Sequence, residues 1–282
     1  MAIETQPPVT HRGVVQAWEC DRNKHWNMRY YLRAFQYASE VLALRQIGRN
    51  PGAATVTTRQ FRFHRELLLG DVMTIRSARV AAGRYAGAIV HLMDCDNGLA
   101  ATALDLPSYD PADAPLWPQA KIEPALPRGL DELELEPYVR VRGAAMTSDV
   151  TIVRPFELDH IGALLMHEMF GHCTSGSHNL LASIGLSTHY MAEQGLGRMT
   201  VEARVSRVGH CAAGDALRVR SWLSFVREKA LGLRHQVLNS TTGAPIAVVE
   251  QCMVVVNMDT RRVELVPAFL HEALGVHIST TA

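Results

Sequence analysis

The feature that most constrains this chain is an internal repeat, in which the same landmarks occur twice in the same order. Gly70-Asp71 is followed by His91 and a hairpin turn in the first half, and Gly214-Asp215 by His235 and a hairpin turn in the second. The step from aspartate to histidine is 20 residues in both copies (71 to 91 and 215 to 235). Agreement over several landmarks indicates the duplication of a unit of roughly 120 to 130 residues. The chain is therefore predicted to be a pseudo-dimer of two similar units.

The two copies differ in a polar string at the start of the first. Residues 21 to 27 read Asp-Arg-Asn-Lys-His-Trp-Asn, whereas the corresponding segment, which begins at Asp159, continues with His160 and then with apolar or small residues. One polar copy indicates one principal working site. Asp159 is kept, and it serves either a second site or the capping of the helix that follows.

Composition excludes several classes of protein. The 28 basic and 28 acidic side chains balance, so no overall field attracts nucleic acid or an anionic membrane. No stretch approaches 18 uninterrupted apolar residues, and residues 1 to 13 lack the apolar run of a signal peptide. The five cysteines include no Cys-x-x-Cys pair, which argues against a disulfide framework and a structural zinc site. We expect a cytoplasmic globular protein with no cofactor and no nucleic-acid or membrane partner.

Proline marks the boundary between the copies. Residues 105 to 137 hold seven of the thirteen prolines and an acidic run, a composition typical of an extended connector. We therefore predict an N-terminal unit carrying the polar string (1 to 104), a proline-rich connector (105 to 140) and a C-terminal unit (141 to 282).

Each copy predicts one long helix followed by antiparallel strands. In the first copy, apolar residues recur at helical spacing from Tyr31 to Leu42, and Gly48 and Pro51 stop the helix. β-branched residues and the hairpin turn at 96 to 98 then indicate strands. In the second copy we predict a helix at about 162 to 184 and strands near 199 to 208, 216 to 226, 231 to 238 and 246 to 256. Such a helix can bury its apolar stripe only by lying across the strands.

The string Asp21-x-Asn23-x-His25-x-Asn27, followed by Tyr30-Tyr31 and an amphipathic helix, resembles the signature of hotdog-fold thioesterases. The resemblance is to acyl-ACP thioesterases and the 4-hydroxybenzoyl-CoA thioesterase group. It implies an α+β tandem, or double, hotdog, with two antiparallel sheets each wrapped around a long central helix. It also implies a thioester hydrolase acting on an acyl-CoA or an acyl-ACP.

Thioester cleavage requires a group that activates water or attacks the carbonyl, and dipoles directed at the oxygen that becomes negative. Asp21, just ahead of a helix, can supply the carboxylate, and the free N–H groups of the helix start can polarise the carbonyl. The resemblance implies that Asp21 is the base or the nucleophile and that Asn23 and His25 assist it. The sequence leaves both roles of Asp21 open.

Further residues are assigned to substrate binding. The resemblance implies a downstream glutamate, for which Glu66 is the nearest candidate. The remaining candidates lie in the polar string, at the start of the predicted helices and on the strands. They are Asn27, Tyr31, His167 and Glu168, with Arg59, Arg62 or Arg65 as residues that could hold CoA.

The segment from His167 to His172 resembles the zinc-binding motif of metalloproteases but differs from it in spacing. In His167-Glu168-x-x-x-His172 the two histidines are five residues apart, whereas two ligands on one helical face need a spacing of four. We therefore expect no metal site.

Two other functions remain open. Hotdog-fold enoyl-CoA hydratases and dehydratases place a histidine five residues after the aspartate, whereas His25 is four residues after Asp21, which favours hydrolysis. The chain could also be a non-catalytic binder of acyl thioesters. A homodimer is the commonest symmetric assembly for a chain of this kind.

Overall fold

The computed structural model describes residues 6–21, 24–47, 56–111, 113–130 and 145–275. Asn23 and the expected helix stop at Gly48 and Pro51 lie outside the described residues. The chain divides into two compact units, Met1–Leu126 and Pro127–Ala282. The division falls within the segment assigned to a connector, and the described part of that segment contains a strand end, a short strand and two 3-10 turns.

The first unit has one long helix and an antiparallel set of strands. The strands pair in the order β1-β3-β4-β5-β2, every neighbouring pair is antiparallel, and the short β6 lies parallel to β3. The elements are β1 (Val9–Val14), a 3-10 turn (Ala17–Glu19), α1 (Met28–Ile47), β2 (Val56–Phe63), β3 (Val72–Val80), β4 (Ile89–Cys95), β5 (Gly98–Pro107) and β6 (Leu116–Trp117).

The second unit repeats this topology. Its strands pair in the order β7-β9-β10-β11-β8, with β12 antiparallel to β11. The elements are β7 (Ala145–Ile152), a 3-10 turn (Pro155–Glu157), α2 (Met166–Ser183), α3 (Thr188–Glu193), β8 (Leu196–Arg207), β9 (Ala216–Val226), β10 (Leu231–Asn239), β11 (Pro245–Asn257), β12 (Val263–Glu264) and α4 (Phe269–Gly275). The predicted long helix starts four residues late, because Gly162 adopts a left-handed φ of 80°. The short helices α3 and α4 were not predicted.

The apolar stripe of α1 packs on the strands of its own unit, as the helical spacing predicted. Phe35 is fully buried, with its ring 5.9 Å from that of Phe61 and 6.0 Å from that of His91. Tyr31 meets Phe63 edge to face at 5.4 Å. Burying each such side chain contributes about 1.5–3 kcal/mol, so this stripe holds the helix across the strands.

A buried histidine joins the long helix to two strands in each unit. His91 on β4 contacts Ser77 on β3 through Nδ1 at 2.6 Å and Ser39 on α1 through Nε2 at 3.3 Å. The second unit repeats the arrangement: His235 Nδ1 is 2.7 Å from Ser221 Oγ, and His235 Nε2 is 3.1 Å from Ser177 Oγ. Both imidazoles are fully buried. The histidine of the repeat is therefore a core residue that ties helix to strands.

The first unit adds a buried ion pair to this arrangement. Arg59 donates to both carboxylate oxygens of Asp105 at 2.6 Å, and Asp105 Oδ2 lies 3.0 Å from His91 Nε2. Burial raises the pKa of Asp105, but Arg59 and His91 outweigh it and hold that pKa well below its usual range. At the corresponding places in the pairing of β8 with β11, the second unit has Ala203 and Gln251.

Two of the arginines considered for CoA binding, Arg59 and Arg62, form structural contacts within the first unit. Arg59 is fully buried, so it does not lie on the surface as expected. A strand pattern does not reveal that an arginine has an acidic partner on the next strand. Arg62 donates to the carbonyl oxygens of Glu123 and Leu126 at 3.0 and 3.2 Å and holds the turns after β6.

The buried His235 predicts acid sensitivity of the second unit. Burial lowers the pKa of His235 to about 3, whereas the unfolded chain titrates near 6.5. Between these values the unfolded state binds the extra proton, so the unfolding free energy falls as pH decreases, by up to about 1.4 kcal/mol per pH unit. We expect His235→Gln to remove this component in urea titrations between pH 7 and pH 4. The exposed His189→Gln is the control, and equal slopes for His235→Gln and the native chain would contradict the prediction.

The buried ion pair of Arg59 with Asp105 predicts a separate effect on the free energy of unfolding. Arg59→Ala leaves Asp105 buried without its cation, which we expect to lower the unfolding free energy by about 3–5 kcal/mol. Arg59→Ala/Asp105→Gln copies the pair Ala203 and Gln251 of the second unit and should recover at least about 1 kcal/mol of that loss, since no buried charge remains. Chemical denaturation of the three proteins measures both effects. A double variant no more stable than Arg59→Ala would show that the charge of Asp105 is not the cause.

Candidate active site

Asp21 and His25 of the polar string are joined by two hydrogen bonds just before α1 and close a loop there. The Asp21 N–H donates to the carbonyl of His25 at 2.8 Å, and the His25 N–H returns to Oδ1 of Asp21 at 3.1 Å. Lys24 turns the chain with a left-handed φ of 64°. The carboxylate of Asp21 is exposed, and one of its oxygens holds the loop together.

The second unit contains the same loop with different side chains. The Asp159 N–H donates to the carbonyl of Ala163 at 2.8 Å, and Oδ1 of Asp159 accepts the N–H groups of Ile161 and Ala163 at 3.0 and 2.9 Å. Gly162 occupies the place of Lys24. An aspartate is thus required by the loop backbone in both copies, and a second site at Asp159 stays a prediction.

A histidine and a glutamate meet beside the first loop. His25 Nδ1 lies 3.1 Å from Glu66 Oε1, and the two side chains are 20% and 30% exposed. The structure therefore brings together two candidates that are far apart in sequence. Both side chains are open enough to reach a bound substrate.

The segment carrying Glu66 is fastened to the loop by its backbone. His25 forms a β-bridge with Leu68, and the Trp26 N–H donates to the carbonyl of Leu67 at 2.7 Å. The hydroxyl of Tyr31 accepts the Leu67 N–H at 2.8 Å. These bonds fix the distance between His25 and Glu66.

Tyr31 has a positioning role in this geometry. Its ring is buried and packs 4.3 Å from that of Trp26, and its hydroxyl faces the Leu67 N–H. Burial raises the pKa of Tyr31 above its usual range, and the Leu67 N–H opposes that shift. The predicted contact of Tyr31 with substrate stays a prediction.

Asn27 caps α1. Its side-chain oxygen accepts the N–H of Arg29 at 3.0 Å, and its carbonyl accepts that of Tyr30 at 2.9 Å. Asparagine is a favoured N-cap residue for this reason. Its predicted contact with substrate is a further role that these bonds leave as a prediction.

The chemistry of the first loop is not repeated in the second. Ala163 takes the place of His25, and Leu165 takes the place of Asn27. The residue that corresponds to Glu66 is His210, since the segments 64–71 and 208–215 make the same backbone bonds. His167 and Glu168 are buried at the start of α2, and their predicted contact with substrate stays a prediction.

One group of side chains in the described ranges could hold a metal ion. The ligand atoms of Glu157, Glu168 and His172 lie within 4.8 Å of one another, all in the second unit. The described helices include none long and apolar enough to cross a membrane.

The sequence matches the family model of the thioesterase-like superfamily over residues 15–109 and 153–274. These two segments cover most of the chain, so the protein belongs to this superfamily, and the match to hotdog thioesterases predicted from the polar string is confirmed. A search of the curated proteins finds no match.

Several solved structures share the fold. A protein from Lactobacillus plantarum described as an oleoyl thioesterase is 12% identical, with 88% of this chain and 96% of the other covered and a TM-score of 0.63. The 12:0-ACP thioesterase from Umbellularia californica is 10% identical, with coverages of 86% and 92% and a TM-score of 0.57. An acyl-ACP thioesterase from Bacteroides thetaiotaomicron is 11% identical, with coverages of 86% and 96% and a TM-score of 0.57. At these identities the likeness shows the fold.

Sequence reasoning missed the polar groups that set the position of the helices. Ser77 precedes His91 by 14 residues, and Ser221 precedes His235 by the same number. This shared spacing was a readable signal, because each serine pairs with the histidine on the next strand. Sequence reasoning assigned no role to Glu19 and Glu157, the buried glutamates that precede the two aspartates by two residues.

The left-handed backbone of Lys24 and Gly162, the fourth residues of the two loops, predicts opposite effects of substitution on stability. A non-glycine residue in this conformation costs about 1–2 kcal/mol, so Lys24→Gly should raise the unfolding free energy by about 0.5–1 kcal/mol after the entropy cost of glycine. Gly162→Ala should lower it by about 1 kcal/mol or more. Urea denaturation measures both. A loss of stability in Lys24→Gly would mean that the side chain of Lys24 stabilises the loop.

Proposed function

We propose that the protein hydrolyses an acyl thioester, carried by CoA or by an acyl carrier protein, at the loop formed by residues 21–27. The observation that carries the proposal is the contact of His25 Nδ1 with Glu66 Oε1 at 3.1 Å, beside the exposed carboxylate of Asp21. Membership of the thioesterase-like superfamily supports the reaction class. The acyl-ACP thioesterases among the structures of similar fold support an acyl thioester as substrate.

The side chains divide the work of hydrolysis. Glu66 accepts the Nδ1 proton of His25 and fixes the tautomer, which leaves Nε2 to act on the substrate. Asp21 removes a proton from water as the water oxygen attacks the thioester carbon, or it attacks that carbon itself and water then cleaves the anhydride. The carbon–sulfur bond breaks, and the thiolate leaves and takes up a proton that the attacking water has lost.

The start of α1 supplies the dipole for the carbonyl oxygen. The first N–H groups of a helix have no acceptor within the helix, and they carry the positive end of its dipole. Asn27 uses the N–H groups of Arg29 and Tyr30. We therefore assign the N–H of Met28 to the thioester oxygen, where negative charge develops during attack.

Asp21→Asn is the first test of this assignment. The amide keeps an oxygen for the His25 N–H but cannot accept a proton from water, so we expect hydrolysis to fall by about 100-fold or more. Release of free thiol from a panel of acyl-CoAs and acyl-ACPs measures the activity. Undiminished hydrolysis of every active thioester by Asp21→Asn would refute the proposal.

Two further variants separate chemistry from loop stability. Asp159→Asn changes the aspartate of the second loop, which accepts two backbone N–H groups and contacts Arg207, without touching His25 or Glu66. It should therefore cost at least as much stability as Asp21→Asn and leave most of the hydrolysis. Glu66→Gln should lower kcat by about tenfold or more with little change in the unfolding free energy, because the histidine loses its orienting carboxylate. A loss of activity in Asp159→Asn as large as in Asp21→Asn would contradict a single site in the first unit.

A further inference from the structure

Two buried glutamates and a histidine converge where α2 begins. Glu168 and His172 are four residues apart, and side chains at this spacing share one face of a helix. Glu157 closes the group from the 3-10 turn before the helix, with Oε1 at 3.2 Å from His172 Nε2. His167 and His172 are five residues apart, a spacing that does not place two ligands on one face of a helix. The pair with ligand spacing is Glu168 and His172.

Both carboxylates are held by a neighbouring group. The backbone N–H of Arg154 donates to Oε2 of Glu157 at 2.7 Å. The Nε2 of His167 lies 3.3 Å from Oε1 of Glu168. Outer contacts of this kind orient the ligands in metal sites. The ring of His167 is more than nine-tenths buried against this group, and its Nδ1 has no hydrogen-bond partner among the described residues.

The first unit shows what has changed. There the equivalent Glu19 is also buried, and it receives the indole N–H of Trp26 at 2.8 Å and pairs with Arg33. Both partners come from the loop and helix that follow. The first unit thus balances its buried carboxylate with a cation from its own helix.

The second unit has replaced those partners. When the two loops are aligned at Asp21 and Asp159, Leu164 occupies the position of Trp26 and Gly171 that of Arg33. In the same alignment Glu168 occupies the position of Tyr30, and His172 that of Ala34. The change removes a helix cation and adds a second carboxylate. Buried carboxylates require compensating positive charge. The nearby Arg207 contacts Asp159 at 3.6 Å and donates to the carbonyl of Leu164 at 3.1 Å.

We propose that Glu157, Glu168 and His172 bind one divalent transition-metal ion, for which Zn²⁺ is the probe of choice. Two carboxylates and an imidazole suit Zn²⁺ or Mn²⁺, whereas Mg²⁺ and Ca²⁺ favour all-oxygen sites. The ion joins the 3-10 turn to α2, as Trp26 and Arg33 join the turn to α1. Its role is to stabilise the second unit.

The test is a Zn²⁺ titration of the full chain after dialysis against a chelator. We expect saturable binding of one Zn²⁺ per chain, and affinity lowered by about tenfold or more in Glu168→Gln. His189→Ala is the matched control, because His189 and Glu193 form an exposed pair with the same spacing, 3.1 Å apart, on α3. Its affinity for Zn²⁺ should equal that of the native chain.

Two further measurements cover the case in which Glu168→Gln folds poorly. Co²⁺ bound to the native chain should give visible absorption bands that excess Zn²⁺ abolishes. Zn²⁺ should also raise the melting temperature of the native chain and of His189→Ala, since ligand binding to the folded state stabilises it, but not that of His172→Gln. Absence of saturable Zn²⁺ binding by the native chain, or equal binding by the native chain and Glu168→Gln, overturns the proposal.

Discussion

The position of the long helix in each unit depends on one buried imidazole. His91 is held between Ser39 on α1 and Ser77 on β3, and His235 is held between Ser177 and Ser221 in the same way. Apolar packing tolerates small slips of a helix across a sheet, but a buried polar group left without its partner costs about 1–3 kcal/mol. The serine–histidine contacts therefore fix the rotation of the helix about its own axis and its position along the strands. They thereby fix the loop that precedes it.

The two units show which features belong to folding and which to chemistry. Both keep the aspartate of the loop, the buried glutamate before it and the serine–histidine contacts. The first has the contact of His25 with Glu66, whose counterparts in the second are Ala163 and His210, and among the described residues only the second has three metal-type ligands at the helix start. Function resides in side chains placed on a shared scaffold. The duplication supplies two such scaffolds, and their side chains have diverged.

Much of the fold could be predicted from local patterns. The hairpin turn after β4, the strands β9 to β11 and the amphipathic helix α1 follow from periodicity and turn residues, because these signals are local. The start of α2 was wrong by four residues, since the Asp159 loop resembles a helical turn in sequence. The partner of Arg59 could not be predicted, because Asp105 is distant in the chain and is brought near by strand pairing. For the same reason Glu66 was only a candidate in the sequence, and its contact with His25 was not predicted.

The loops that precede α1 and α2 have a common backbone arrangement, which matters for introducing the catalytic side chains of the first unit into the second. In the loops that begin at Asp21 and Asp159, the N–H of the aspartate donates to the carbonyl of the fifth residue, and the N–H of that residue donates to Oδ1 of the aspartate. The fourth residue of each loop is left-handed. The backbone of the second loop can therefore accept the side chains of the first without rebuilding, and His210 already stands where a glutamate would be required. The second unit has Ala163 and His210 where the first has His25 and Glu66, and this difference lies in the side chains and not in the architecture.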